Sequence, residues 1–417
     1  MWREGSTAGV GACSLASHRH CRQLAPEPVL SLSRRISLPQ GYNGSQLWDT
    51  AFAVQAVAAA GACVLPPSVK SLLPGVAGGD GTWSGGGGDA IVACLRRAHA
   101  YLRDSQVMTE AEEPLDKWYR HRSKGAWPFS TQDHGWPISD CSSEGLKAAV
   151  TLALLGEAAC GEPVSDERMG MCADVIISYQ NVSGGWATYE QTRSFEALEM
   201  LNPAETFGDI IVDYSYVECS TACVTALCAY RKKCPEGAAS RPLDRALRLG
   251  KHFVEREQRP DGSWYGSWGV CFTYAGWFGC TSLAALGGTY ATSSHLRRAC
   301  AFLLSKQEPE GGWGESYLSC EKKTYHSLPR RRCHVVNTSW AMLALMEARY
   351  HETEDPTPLH RAAAYLLRAQ ETTGDWPQQE IAGVFNRNCM ITYANYRNIF
   401  PIWALGMYRD LVQRAKA

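Results

Sequence analysis

The sequence predicts an all-α protein built as an α/α toroid, a barrel of stacked helix pairs. Two observations carry that prediction. Four segments share one pattern, a Gln, five residues, then a Trp: "QNVSGGW" (Gln180, Trp186), "QRPDGSW" (Gln258, Trp264), "QEPEGGW" (Gln307, Trp313) and "QETTGDW" (Gln370, Trp376), each with Gly two residues before the Trp. The runs leading into them are helical in period. Leu296, Ala299, Cys300, Leu303 and Leu304 precede Gln307; Leu359, Ala362, Ala363, Leu366 and Leu367 precede Gln370; Ala246, Leu249, Gly250 and Phe253 precede Gln258.

The repeating unit is therefore helix, Gly turn with Trp, helix, recurring about every 50 to 80 residues. The run "NTSWAMLALMEA" after the third copy supplies a further helix, with Asn337 as its N-cap. A helix pair cannot bury both of its faces alone; stacking its neighbours does so, and a ring of pairs closes the stack around a central cavity.

Composition sets the remaining bounds. The chain has 417 residues, 45% hydrophobic, with net charge −1, so no basic excess points to nucleic acid. No uncharged apolar run reaches the roughly 18 residues of a membrane span, so any membrane contact is monotopic. The 14 Trp fill a wide core or line a cavity. The 17 Cys are odd in number, scattered and without a zinc-type CxxC pair, which reads as reduced thiols with no metal. Residues 1–39 are rich in Arg and Ser, weakly like a transit peptide, and read more simply as a disordered or spurious start. The folded domain is expected over 40–412, with a Gly-rich insertion at about 61–91 around "GVAGGDGTWSGGGGDA".

The stretch "DHGWPISDCSSEG" sets Asp140 beside Cys141, just before "EGLKAAVTLALL". In that run Leu146, Ala149, Val150, Ala153 and Leu154 form an apolar stripe. Locally, Asp140 reads as a helix cap. The alternative is an acid held in a dry cavity. A carboxyl with the ordinary pKa of about 3.9 is ionised at neutral pH. A helix N-terminus favours the anion further. Burial must therefore outweigh both for the acid reading to hold.

These motifs, with "NPAETFGDIIVDYSYVEC", "DGSWYGSWGVCFTY", "GGWGESYLSC" and "NRNCMITYANYRNIFPIWALG", resemble the C-terminal half of the oxidosqualene cyclases, nearest the cycloartenol-forming type of plants and algae. The resemblance covers about residues 38–60 and 92–410. It implies the α/α toroid of squalene cyclase C-terminal type, with the repeat Gln capping helix ends and the repeat Trp stacking between helices. It implies cyclisation of 2,3-oxidosqualene to a polycyclic alcohol, opened by protonation of the epoxide, with no cofactor and no metal.

Carried over by resemblance, Asp140 is the acid, Cys141 and Cys271 hydrogen-bond to it, and Glu144 helps to reprotonate it through water. Trp48, Phe129, Tyr189, Trp340 and Phe400 line the cavity, where π faces hold carbocations and water is kept out. Tyr42, His134 and Ile138 form the cycloartenol-type set that fixes the product, and His134 could accept or relay the last proton. The expected partners are the lipid substrate and a membrane surface, at the endoplasmic reticulum or lipid droplets, with no nucleic acid.

"DCSSEG" stands where the family has "DCTAEG", a change that spares Asp, Cys and Glu. Family members are about twice as long, and the other half forms a second α-barrel and part of the cavity wall. A non-catalytic lipid-binding remnant is therefore a competing reading. A zinc-dependent prenyltransferase subunit is disfavoured, because those enzymes use Asp-x-Cys with a distant His, whereas Asp140 and Cys141 are adjacent.

Overall fold

Two kinds of helix are visible in the burial pattern. "VVNTSWAMLALME" is buried without a break from Val335 to Met346, as a helix surrounded by others must be. "RPLDRALRLGKHFVER" buries only Leu243, Ala246, Leu247, Gly250, Phe253 and Val254, a single stripe, and leaves its charged face to solvent. The first kind forms an inner ring and the second an outer one.

The computed structural model describes residues 44–61, 87–204, 210–236 and 241–416. In chain order the helices are α1 (Gln46–Ala60), α2 (Gly87–Ser105), α3 (Ser139–Leu155), α4 (Glu157–Cys160), α5 (Asp166–Ser178), α6 (Val217–Lys233), α7 (Arg241–Arg256), α8 (Phe272–Ala285), α9 (Ser294–Ser305), α10 (Leu318–Lys322), α11 (Val335–Glu347), α12 (Thr357–Ala369) and α13 (Tyr396–Lys416). A small antiparallel pair, β1 (Gly383–Phe385) and β2 (Cys389–Ile391), precedes α13. Helices α1, α3, α6, α8, α11 and α13 pack each on the next, and α13 returns to α1, so the inner ring is closed. Helices α2, α5, α7, α9 and α12 pack outside it.

The Gln–Trp copies lock the two rings together. In each, the Trp indole N–H donates to a carbonyl near the end of the preceding outer helix: Trp186 to Ile176 (2.6 Å), Trp264 to Val254 (2.8 Å), Trp313 to Leu303 (2.7 Å) and Trp376 to Leu366 (2.9 Å). The Gln amide bonds across its own turn, and in three copies also ties that turn to the next outer helix. Gln258 Nε2, for example, donates to Gly262 O and to His295 O, both at 2.9 Å. The Gln side chain thus ties turn to helix rather than capping a helix end. Gly262 has φ +90, and a Cβ there would lie 2.4 Å from the Arg298 carbonyl, so only glycine fits.

A fifth copy was hidden in the sequence. Trp127 Nε1 donates to Leu102 O at 2.8 Å, and Gln106 Nε2 donates to Gly125 O (2.6 Å) and Arg168 O (3.0 Å). The partners are equivalent to those above, but a longer loop separates Gln from Trp.

Loops entering the inner helices are long, such as 179–216 and 306–334, whereas those leaving α3, α6, α8 and α11 are short, such as 286–293 and 348–356. All inner helices run in one direction. One mouth of the barrel therefore gathers the inner N-termini and the long loops, and Asp140 begins α3 there. Two local expectations need correction. His334, not Asn337, caps α11, its Nδ1 accepting from Val336 N and Asn337 N. Asn337 lies inside the helix and bonds Val270 O, Thr273 Oγ1 and Glu315 N instead. The Gly-rich segment ends earlier than expected, because α2 already starts at Gly87; residues 1–39 and most of that segment lie outside the described residues.

Candidate active site

Asp140 is not the cap of α3; Ile138 is, and Asp140 sits inside the first turn. The side chain is 6% exposed. Its Oδ1 accepts from the Cys141 backbone N–H at 2.8 Å, and the thiol of Cys219 approaches Oδ2 at 3.7 Å. Burial pushes the carboxyl up to about 6, against the hydrogen bonds from the Cys141 backbone, the Cys141 thiol and Cys219; the neighbouring Glu144 charge adds to the rise. Burial also raises the thiols of Cys141 and Cys219 well above their ordinary value, so they remain protonated donors.

The thiol expected opposite Asp140 was Cys271. That residue instead stands at the N-cap of α8, with its Sγ 3.5 Å from Gly266 O and its thiol hydrogen-bonded with that of Cys320. Ring order explains the correction. Helix α6, which carries Cys219, is the neighbour of α3, whereas α8 lies one place further round. The start of each of α3, α6, α8 and α11 carries a Cys, inside the first turn (Cys141, Cys219) or just before it (Cys271, Cys333), and only the order of the ring selects among them.

Glu144 is fully buried one turn below Asp140, between Gln55 Nε2 (2.8 Å) and Lys147 Nζ (2.8 Å). Trp48, Phe129, Trp340 and Phe400 fall in one aromatic network. Trp48 meets Phe129 at 6.3 Å and Phe52 at 4.5 Å; Phe52 meets Phe400 at 5.4 Å; Phe400 meets Trp340 at 5.4 Å. Trp48 Nε1 donates to Tyr396 OH at 2.6 Å. Tyr189 lies outside that ring network, 38% exposed and edge-on to Trp136 at 5.8 Å, yet close enough to the acid for the Asp140 charge to act on its phenol. Ile138 is buried directly before the acid helix, its backbone N–H on Trp127 O at 3.2 Å. Tyr42 and the side chain of His134 lie outside the described residues.

Four residues were missed by the sequence reading. Besides Cys219, Glu218 is a further buried acid, its Oε1 accepting from Ser267 N (2.6 Å) and Trp268 N (3.0 Å), with its carboxyl raised to about 7, chiefly by burial. It anchors the loop that presents half-buried Trp268, which packs on Tyr216 (5.9 Å) and Phe385 (5.0 Å). Tyr393 stacks on Tyr396 at 4.5 Å, close enough for the Asp140 charge to act on its phenol. All four stand in motifs already quoted, "DYSYVEC", "GSWGVC" and "ITYANY"; the signal was there, but not the geometry that ranks it.

A buried acid near pKa 6, thiol donors and a wall of π faces can deliver a proton to a weak base and hold the resulting cation. The comparisons agree in kind. The family model of the squalene-hopene cyclase C-terminal domain matches residues 84–410. The lanosterol synthase of Homo sapiens is 44% identical over 380 residues, covering 89% of this chain and 47% of that protein. The cycloartenol synthase of Dictyostelium discoideum is 45% identical over 403 residues, 97% of this chain and 52% of that protein. The chain thus spans about half the length of these relatives. In fold it is similar to the type II terpene cyclase MstE from Scytonema, with a TM-score of 0.55 at 15% identity over 90% of this chain and 91% of that one.

Proposed function

This chain belongs to the squalene cyclase family, on its oxidosqualene cyclase branch, and from that premise we propose that it cyclises (3S)-2,3-oxidosqualene to a polycyclic sterol precursor, with cycloartenol as the product. The observation that carries the reading is Asp140, buried, flanked by two thiols, with a carboxyl that titrates near 6. A lipid seated over it would exclude water and raise it further.

Asp140 transfers its proton to the epoxide oxygen, the carbon–oxygen bond opens, and the electron pair of the nearest double bond closes the first ring. The anion left on Asp140 is held by the Cys141 N–H and the Cys141 and Cys219 thiols, and the travelling cation by ring faces such as Trp48 and Phe129. Tyr42, His134 and Ile138 favour cycloartenol by deciding where the last proton leaves.

Exposed Phe195, Met200 and Leu201, in the long loop entering α6, suit a monotopic seat on a lipid surface, which we place at the endoplasmic reticulum or lipid droplets. No helix among the described residues is long and apolar enough to cross a membrane. A second reading is lipid binding without cyclisation, since the chain matches about half the length of these relatives.

Expression in yeast that lacks its own cyclase and accumulates oxidosqualene separates the two. Cycloartenol detected by gas chromatography–mass spectrometry, and lost in Asp140→Asn, is the expected result. No cyclised product from well-expressed protein would overturn catalysis by this chain alone.

A further inference from the structure

The ring of Trp268 has no polar handle to hold it. Each lock Trp donates its indole N–H to a carbonyl, and Trp48 donates to Tyr396. The Trp268 indole N–H is buried and meets no acceptor among the described residues. Its place is therefore set by ring contacts and by its own backbone. The ring lies 5.9 Å from Tyr216, just before α6, and 5.0 Å from Phe385, in β1. Parts of the chain that enter α6, α8 and α13 thus meet on Trp268, at the mouth where α3 begins. The Trp268 backbone is pinned from two sides. On one, Val384 N–H donates to Trp268 O (3.3 Å) and Val270 N–H to Ala382 O (2.9 Å). On the other, Glu218 Oε1 accepts from Ser267 N (2.6 Å) and Trp268 N (3.0 Å). The fit is close: a Cβ on Gly266 would stand 3.2 Å from Glu218 Oε1 and 2.5 Å from the Cys271 carbonyl. Glu218 is 1% exposed. Its chain neighbour Cys219 brings the thiol to Asp140, so one turn of α6 carries both a donor to the acid and the anchor of the ring.

We propose that Glu218 is a positioning residue for the cyclisation: its carboxyl fixes the Trp268 ring between Tyr216 and Phe385, and so decides how much of the cation runs through to a single product. The inference rests on the cyclase reading above. A ring face attracts a cation only from a defined distance and angle, and a ring set loose lets the cation escape early to side products. Glu218 touches no substrate and acts through Trp268. Both N–H groups land on one oxygen, so a side chain with one carbonyl oxygen at that place serves as well, and the charge is not required. Truncation instead leaves two buried N–H groups without an acceptor. Glu315 provides the structural comparison. It is as buried as Glu218 and accepts from Phe272 N (3.0 Å) and Thr273 N (2.9 Å). The Phe272 ring, however, packs on Phe302 of the outer helix α9 at 6.0 Å, away from Trp268.

Two readouts test this, one of them without turnover. The purified chain is labelled with fluorotryptophan, and the fluorine NMR line of Trp268 is identified by its loss in Trp268→Leu. The expected result is one sharp line at one position in wild type, Glu218→Gln and Glu315→Ala, and a shifted or broadened line in Glu218→Ala. An unmoved line in Glu218→Ala overturns the anchor. So does a line in Glu218→Gln displaced as far as in Glu218→Ala. The second readout is the product profile in yeast that lacks its own cyclase and accumulates oxidosqualene. Glu218→Ala is expected to cut the share of the main product about threefold, and Glu218→Gln to keep the wild-type profile. Glu315→Ala is expected to lower yield without altering the profile. In a Trp268→Leu background, Glu218→Ala should change the profile no further, because the ring it acts through is gone. A further change there overturns the action through Trp268. No cyclised product from wild type overturns the cyclase reading and the product role with it, and the NMR line tells that failure apart from loss of the anchor.

Discussion

The Cys219 thiol lies 3.7 Å from Asp140 Oδ2, whereas the Cys271 thiol lies 3.5 Å from the carbonyl of Gly266. The two cysteines stand in similar motifs, each at the start of an inner helix, and only one reaches the acid. A hydrogen bond to a carboxylate contributes about 1.5–3 kcal/mol, so Cys219→Ala is expected to lower cyclisation about 10- to 100-fold, and Cys271→Ala no more than about threefold. Product formed per unit of protein measures both. A larger loss from Cys271→Ala would sink the assignment.

Asp140 and Glu218 make stability depend on pH in a defined direction. Burial raises both carboxyls in the folded state, Asp140 from 3.8 to about 6 and Glu218 from 4.5 to about 7. The folded chain therefore keeps protons that the unfolded chain has already lost. Their contribution is complete below the unfolded values and disappears as pH rises through 6 and 7, amounting to about 3 kcal/mol for each group. Denaturant titrations at pH 4.5 and 7.5 should show Asp140→Asn losing about 2 kcal/mol less than wild type over that interval, since part of the effect is already lost at pH 4.5. An unchanged difference would mean that Asp140 does not titrate there.

The hidden fifth copy of the Gln–Trp lock is expected to matter as much as the legible ones. Trp127→Phe and Trp264→Phe each remove an indole N–H from a buried carbonyl and leave a small void, at a cost of about 1–3 kcal/mol. Gly262→Ala sets a Cβ against the Arg298 carbonyl at positive φ, and should cost about 2 kcal/mol or more. Thermal melts compare the three. A cost near zero for Trp127→Phe would separate that residue from the repeat.

Tyr396→Phe deprives the buried Trp48 indole of the hydroxyl it donates to at 2.6 Å. The unpaired N–H is expected to cost about 1–3 kcal/mol of stability. It also frees a ring beside Phe129 to turn, so the sterol profile should broaden to several products. A single unchanged peak would show that Trp48 is held by packing alone.

The sequence by itself determined the toroid, because each legible Gln–Trp copy is a local object: Gln, Gly and Trp meet within one turn, and the spacing survives in one dimension. It likewise marked Asp140, since the acid and one of its donors are adjacent residues. The fifth lock escaped because Gln106 and Trp127 meet only after their loop folds back, with Val107 N–H on Ala126 O and Gly125 N–H on Val107 O. The second donor escaped for a related reason. Cys219 and Cys271 are interchangeable as sequence, and the closed ring alone sets α6, not α8, against α3. Glu144, Lys147 and Thr151 can be read as a stripe from their numbers, but a stripe has no inside until six helices close around it. Local spacing is written along the chain; which face is buried, and against which neighbour, is decided by closure of the ring.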